Sequence, residues 1–279
     1  MTALTDLSDV VNRCTGGNSG APENLHFFKD ARVGAAAAAA TIAGRLQSLW
    51  QYEGQPSAGA APTTVATPDN TTAGGIKQTD PAGGTQKWLL GVSACALVPG
   101  TLILYDRLLH IGNLSGTVIT AQTVGGSLTR YTGTASAGNQ IWVEIYTQIG
   151  ASSTTITASY TDESNNSSTS VATAIGNTGF REAQRIIPLP LASGDTGVRA
   201  VASVTLAATT GTAGAFGVSI VRPLLTIPLG VIGAGSTRDL IAGLPGPVEI
   251  QTDACLAWAW LANGAIAPQI FGSIHMIEK

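Results

Sequence analysis

The sequence is poor in charge. Of its 279 residues only 11% are Asp, Glu, Lys or Arg, where an ordinary soluble domain carries roughly a quarter. Fourteen basic residues stand against 17 acidic ones, a formal net charge of -3, which leaves no basic face for nucleic acid. Aromatic residues make up 5% and hydrophobic ones 44%. The second figure is ordinary and excludes a disordered chain, which is poor in hydrophobics. Glycine is plentiful at 34 residues, but it falls at no fixed period, which excludes a collagen-like repeat. Cysteine is scarce: Cys14, Cys95 and Cys255 are far apart, odd in number and without CxxC or Cys/His spacing, so neither a disulfide framework nor a zinc site is expected. The start, Met1–Asp6, has no basic or apolar run of a secretory signal. No internal repeat is found.

Catalytic grammar is equally thin. Asp106, His110 and Ser115 lie within ten residues, yet no GxSxG elbow accompanies them and they fall on or beside one expected strand. Asp162–Asn166 is the one acidic, oxygen-rich loop. It lacks the DxDxDG order of an EF-hand and reads as a solvated hairpin. Glu182 and Glu249 have no second carboxylate nearby, as a glycosidase pair requires. His26 and His275 have no ligand at metal spacing, and no phosphate-binding glycine loop occurs. The sequence therefore implies no enzyme, no cofactor and no metal.

What is present is β structure. Ile141, Val143 and Ile145 alternate with Trp142, Glu144 and Tyr146, a period of two. Phe216, Val218 and Ile220 share one face of a second run, and Leu256–Trp260 puts Trp258 and Trp260 on one side of a third. Turn clusters such as Gly125-Gly126, Asp162–Ser168 and Gly211–Gly214 separate such runs. Trp88–Tyr105 is uncharged for 18 residues, the minimum of a transmembrane helix, but Pro99-Gly100 inside it predicts two buried strands and a turn. Neither it nor Leu256–Ile274, broken by Asn263-Gly264 and Pro268, is expected to enter a membrane.

Three regions follow. Residues 1–51 read as a helical anchor. Leu4, Leu7, Val10 and Val11 stop at Gly16-Gly17, and a second helix is expected from an Asp30 cap through Ala35–Ala40, ending in the stripe Ile42, Leu46, Leu49 and Trp50. Residues 52–87, rich in Gly, Pro, Ala and Thr, read as an extended arm. Residues 88–279 read as an antiparallel β-sandwich of jelly-roll type. The stripe residues, with Trp258 and Trp260, are the candidate interface residues.

The run Tyr105–Gly116 (YDRLLHIGNLSG) resembles a segment of virion structural proteins of tailed bacteriophages. Leu128–Tyr131, Trp142–Tyr146, Gly194–Arg199 and Val221–Leu224 match in the same order. The resemblance covers about residues 104–229 and carries no catalytic residues. It implies a component of the phage particle, assembled in the host cytoplasm. With the arm, the reading becomes a capsid decoration (cement) protein, a homotrimer clamped onto the major capsid protein. The other reading is a fibre or tail protein whose sandwich binds host-surface glycans, with Trp258 and Trp260 facing outward.

Overall fold

The computed structural model describes residues 7–14, 22–33, 41–239, 243–244 and 246–279. In chain order its elements are α1 (Leu7–Cys14), β1 (Pro22–Asp30), β2 (Leu46–Ser48), β3 (Glu53–Gln55), β4 (Lys87–Ala96), β5 (Gly100–Leu114), β6 (Gln122–Thr123), β7 (Gln140–Thr147), β8 (Thr154–Asp162) and β9 (Ser167–Thr169). There follow β10 (Thr173–Ile175), β11 (Arg185–Leu189), β12 (Val198–Leu206), β13 (Ala215–Leu229), β14 (Ser236–Asp239), β15 (Val248–Ile250), β16 (Leu256–Ala262) and β17 (Gln269–Glu278). The mainly β, antiparallel class expected from the alternation is what the structure shows.

The central unit is a closed barrel in the order β11-β2-β16-β5-β13-β7. A sheet ordered β14-β4-β17-β1-β3, with β15 beside β4, packs on one side of it, and a sheet ordered β10-β8-β12-β6, with β9 beside β8, on another. The 15-residue strands β5 and β13 run through both halves. Their pairing is bulged at three places, and bulges bend long strands enough to close a barrel. Each strand then serves two layers, because alternate side chains face opposite ways. Leu102, Leu104, Ile227, Leu256, Trp258 and Trp260 fill the core against β4 and β17. Ile141, Val143, Ile145, Phe216, Val218 and Ile220 fill the core against β8 and β12. The opposite faces of the barrel strands bring Tyr105, Trp142, Ile186, Val221, Ala257 and Ala259 together with Trp50.

The uncharged stretch at 88–105 divides as expected into β4 and β5, with a turn at Leu97–Pro99. Among the described residues no helix is long and apolar enough to cross a membrane.

The N-terminal expectation needs correction. A helix does form over Leu7–Cys14, but Pro22–Asp30 is a strand pairing with β17 along its whole length. Residues 41–50 are not helical: Gly44 sits at φ 71°, and Leu46–Ser48 closes the barrel between β16 and β11. Tertiary pairing overrides the local helix preference. The expected Ala35–Ala40 helix lies outside the described residues. Position 88 is therefore no boundary, since β1, β2 and β3 belong to the body's own sheets.

Residues 56–86 hold no strand, as their composition predicts, yet they are a strap fastened to the body. Lys29, buried on β1, donates from Nζ to the carbonyls of Tyr52 (2.9 Å) and Pro56 (2.8 Å). Burial, opposed by Glu53, lowers its pKa to about 8. Where β16 leaves β5 at Asp106, the strap takes its place: Ala66 N donates to His110 O and His110 N to Ala66 O, both at 2.9 Å. Ile76 N donates to Leu256 O (2.7 Å) further along. Close approach fixes the strap as well, for a Cβ on Gly112 would lie 2.1 Å from Pro62 O. Gly112→Val is expected to lift the strap, costing about 1–3 kcal/mol as overpacking does. Amide hydrogen exchange over residues 59–66 checks this, and unchanged protection there would show that the strap is not held at Gly112.

Candidate functional site

Charge inside a strand is informative, because a buried ion needs a partner. β5 carries Asp106 and Arg107 in succession, which alternation sends to opposite faces, and β7 carries Glu144. All three are at most 1% exposed. Arg107 Nη2 donates to Glu144 Oε2 (2.6 Å) and to the Tyr146 hydroxyl (2.7 Å), while Nε donates to His110 Nδ1 (2.9 Å). Tyr146 and Ser219 hydroxyls also donate to Glu144 Oε2, at 2.9 and 3.4 Å. The guanidinium lies 4.4 Å from the Trp50 ring centroid, a cation–π contact. On the other face Arg130 grips Asp106 bidentately, both bonds at 2.9 Å, and donates to the carbonyls of Pro68 and Arg107. Cys255 N completes the Asp106 shell at 2.9 Å.

The electrostatics follow from burial. Burial opposes the charge on Arg107, but Glu144, Tyr146 and Tyr105 outweigh it and raise its pKa further. Burial, with Arg107 beside it, drives His110 down to about 3. The neutral imidazole accepts at Nδ1, which places its proton on Nε2. Burial and then Asp106 push the Cys255 thiol up to about 12, and burial raises the Tyr105 and Tyr146 phenols. Perturbed groups of this kind often mark active sites. Here each one is occupied: the thiol stays protonated, the histidine's acceptor nitrogen is taken, and both arginines hold carboxylates. The cluster ties the barrel wall and the strap together.

Asp106, His110 and Ser115 do not converge. Asp106 faces Arg130 and His110 faces Arg107, while the Ser115 hydroxyl meets Thr117 at 2.9 Å. Asp162–Asn166 forms a hairpin loop, in which Asp162 Oδ1 accepts from Asn166 N (2.7 Å) and Glu163 Oε2 from Thr196 N and Gly197 N (both 3.0 Å). Among the described residues no three His, Cys, Asp or Glu side chains form a metal-holding group.

The candidate interface residues fare differently. Trp258 and Trp260 lie in the core against β4 and β17, at most 1% exposed, as does Leu49, and Trp50 stacks on Arg107. These four are covered by the chain itself, so they neither face a partner nor form a glycan platform. Ile42 and Leu46 are half-buried. Sequence reasoning passed over Arg107, Glu144 and Tyr146. The available signal was a charge flanked by apolar residues in an expected strand.

An open groove of about 550 Å³ lies on the outer face of the β14-β4-β17-β1-β3 sheet. Phe28 and Phe271, each somewhat over two-fifths exposed, stack there at 6.3 Å and 19°. His26, Ser93, Cys95, Thr237 and Ser273 line it, with Ser93 and Thr237 hydroxyls 2.9 Å apart. Helix α1 is seated on the same sheet, where Val10 packs on Trp88 and Ile277 and Asp9 pairs with Lys279.

These features define the class as an antiparallel β protein built on a closed six-stranded barrel whose wall carries two buried ion pairs. No protein-family model and no curated protein matches the chain. Solved structures similar to it include that of the infectious bursal disease virus Gt strain and that of T=1 particles derived from the same virus. Each is 8% identical with a TM-score of 0.20; they cover 94% of this chain and 81% and 78% of their own. A VP2 subviral particle of that virus gives a TM-score of 0.19. Likeness at that level carries no argument about this chain.

Proposed function

We propose that the chain is a structural subunit of a virus particle, a capsid decoration protein of the tailed-phage kind that residues 105–116 resemble. The observation that carries this reading is where the ionisable side chains go. In a chain with so few of them, Arg107, Glu144, Asp106 and Arg130 are spent on internal cross-links, and Lys29 on carbonyls of the strap. Catalysis needs ionisable groups in reach of a substrate; cross-linking serves a part that must persist. The remaining Thr-, Ser- and Gly-rich surface suits a protein that is covered in an assembly. Because the strap and helix α1 lie on their own body, contact with the major capsid protein falls to the body's surface. The chain acts without cofactor, as a homotrimer, in the virion.

A fibre protein that binds host-surface glycans is the second reading, favoured by one observation: the exposed Phe28–Phe271 pair among hydroxyl groups, since aromatic faces stack on sugars. Quantitative mass spectrometry of purified particles separates the two. A ratio to the major capsid protein fixed by the head lattice is expected for decoration, and a ratio matching the tail proteins gives the second reading. Absence from particles overturns both.

A further inference from the structure

The three most exposed large apolar side chains of the described residues, Val231, Ile266 and Ile232, lie at one end of the molecule, with Leu97 beside them. The loop after β13 exposes Val231 (68%) and Ile232 (64%), the β16–β17 loop exposes Ile266 (67%), and the β4–β5 turn exposes Leu97 (46%). Backbone hydrogen bonds hold these loops side by side: Gly233 N donates to Ala96 O (2.9 Å) and Leu97 N to Gln269 O (3.0 Å). Ala31 N donates to Pro268 O (2.9 Å), which brings Val33, also exposed, to the same end. Isolated exposed aliphatics are normal, but a contiguous group marks an interaction site.

We infer that this end is the surface through which the chain associates with a second copy of itself. The charge pattern identifies the occupant. Residues 94–101, 229–237 and 261–269 contain no Asp, Glu, Lys, Arg or His. Close to a symmetry axis each group meets its own copy, so a charge there is repelled while a neutral apolar group is not, and these three loops are neutral. Beside Val33, Arg32 is bidentate to Asp30 at 2.9 Å, and Asp30 Oδ2 also accepts from Gln269 (2.7 Å). That leaves little charge at this border for a charged partner to recognise. A lipid surface fits less well, because membrane-seated loops carry Trp, Tyr, Lys or Arg at the headgroup level, and these three loops have none. The surface belongs to the structural reading above, yet its test uses the isolated chain, so either can fail without the other.

Light scattering on the purified full-length chain at micromolar concentration is expected to give at least twice the single-chain mass of 28.2 kDa. The double variant Val231→Asp/Ile232→Asp should weaken association by at least about tenfold and run at the single-chain mass, with an unchanged melting temperature. Val118→Asp/Ile119→Asp, exposed elsewhere, should leave the mass unaltered. A monomeric wild type, or an oligomer that survives the Val231/Ile232 change, overturns the inference. So does a monomer that sediments with neutral phosphatidylcholine vesicles in a Val231/Ile232-dependent way, an outcome that would assign the end to lipid.

Discussion

Arg107→Met lowers the unfolding free energy by about 3–5 kcal/mol, the cost of removing one partner from a buried ion pair. The loss is large against a total that is typically about 5–15 kcal/mol. The reason lies in what remains. Glu144, 1% exposed, keeps only the Tyr146 and Ser219 hydroxyls on Oε2, and its Oε1 has no hydrogen-bond partner even with Arg107 in place. His110 Nδ1 loses its donor and the Trp50 face its cation. Lysine does not rescue the site, because a point charge cannot reach Glu144, Tyr146 and His110 together as the planar guanidinium does. Arg107→Met/Glu144→Leu should recover most of the loss, since apolar replacement of both partners is often close to neutral. Urea unfolding of the three proteins checks this, with the slope held constant. A single variant within about 1 kcal/mol of wild type would show that the pair does not hold the barrel together.

The same cluster shows which features of the fold the sequence displays. Period-two alternation put Ile141, Val143 and Ile145 on one face and Trp258 with Trp260 on one side of a strand, and the packing agrees. Local order of that kind needs no knowledge of partners. The alternation could not say that Glu144 is buried, because what permits its burial is Arg107, 37 residues away. Residues 41–50 are deceptive for a related reason. The spacing of Ile42, Leu46, Leu49 and Trp50 satisfies a helix, but Leu46–Ser48 is captured by β16 and β11, which lie far along the chain. For residues 52–87 composition suggests an extended arm but hides the attachment. That attachment consists of backbone hydrogen bonds at Ala66 and Ile76, the amine of Lys29, and close packing of Gly59 and Gly74 on the Trp50 ring. None of these leaves a hydrophobic pattern. The exposed Val231, Ile232 and Ile266 sat in plain view, yet a run of small and aliphatic residues reads alike whether it ends in the core or outside it.

Acid should weaken the protein through His110, and the sign follows from its two proton affinities. Burial, with Arg107 beside the ring, holds the folded-state pKa at about 3, against 6.5 for the free side chain. Between those values the unfolded chain binds a proton that the folded one refuses, so stability rises with pH across that window. The contribution is complete above about pH 6.5 and is lost as pH falls toward 3; at pH 5 the loss is about 2 kcal/mol, at roughly 1.4 kcal/mol per pH unit. Protonation would also set an imidazolium against the guanidinium whose Nε now donates to Nδ1, 2.9 Å away. His110→Gln keeps an acceptor for that donor and removes the titration. Asp106 titrates in acid too, its carboxyl pushed upward by burial against the pull of Arg130. The measurement is therefore the difference between the wild-type and His110→Gln stability curves, from urea unfolding at pH 7, 6 and 5. That difference should change by about 2 kcal/mol in favour of the variant as pH falls. Parallel curves would mean that His110 is solvated or charged in the folded protein, and that the strap does not seal this part of the barrel wall.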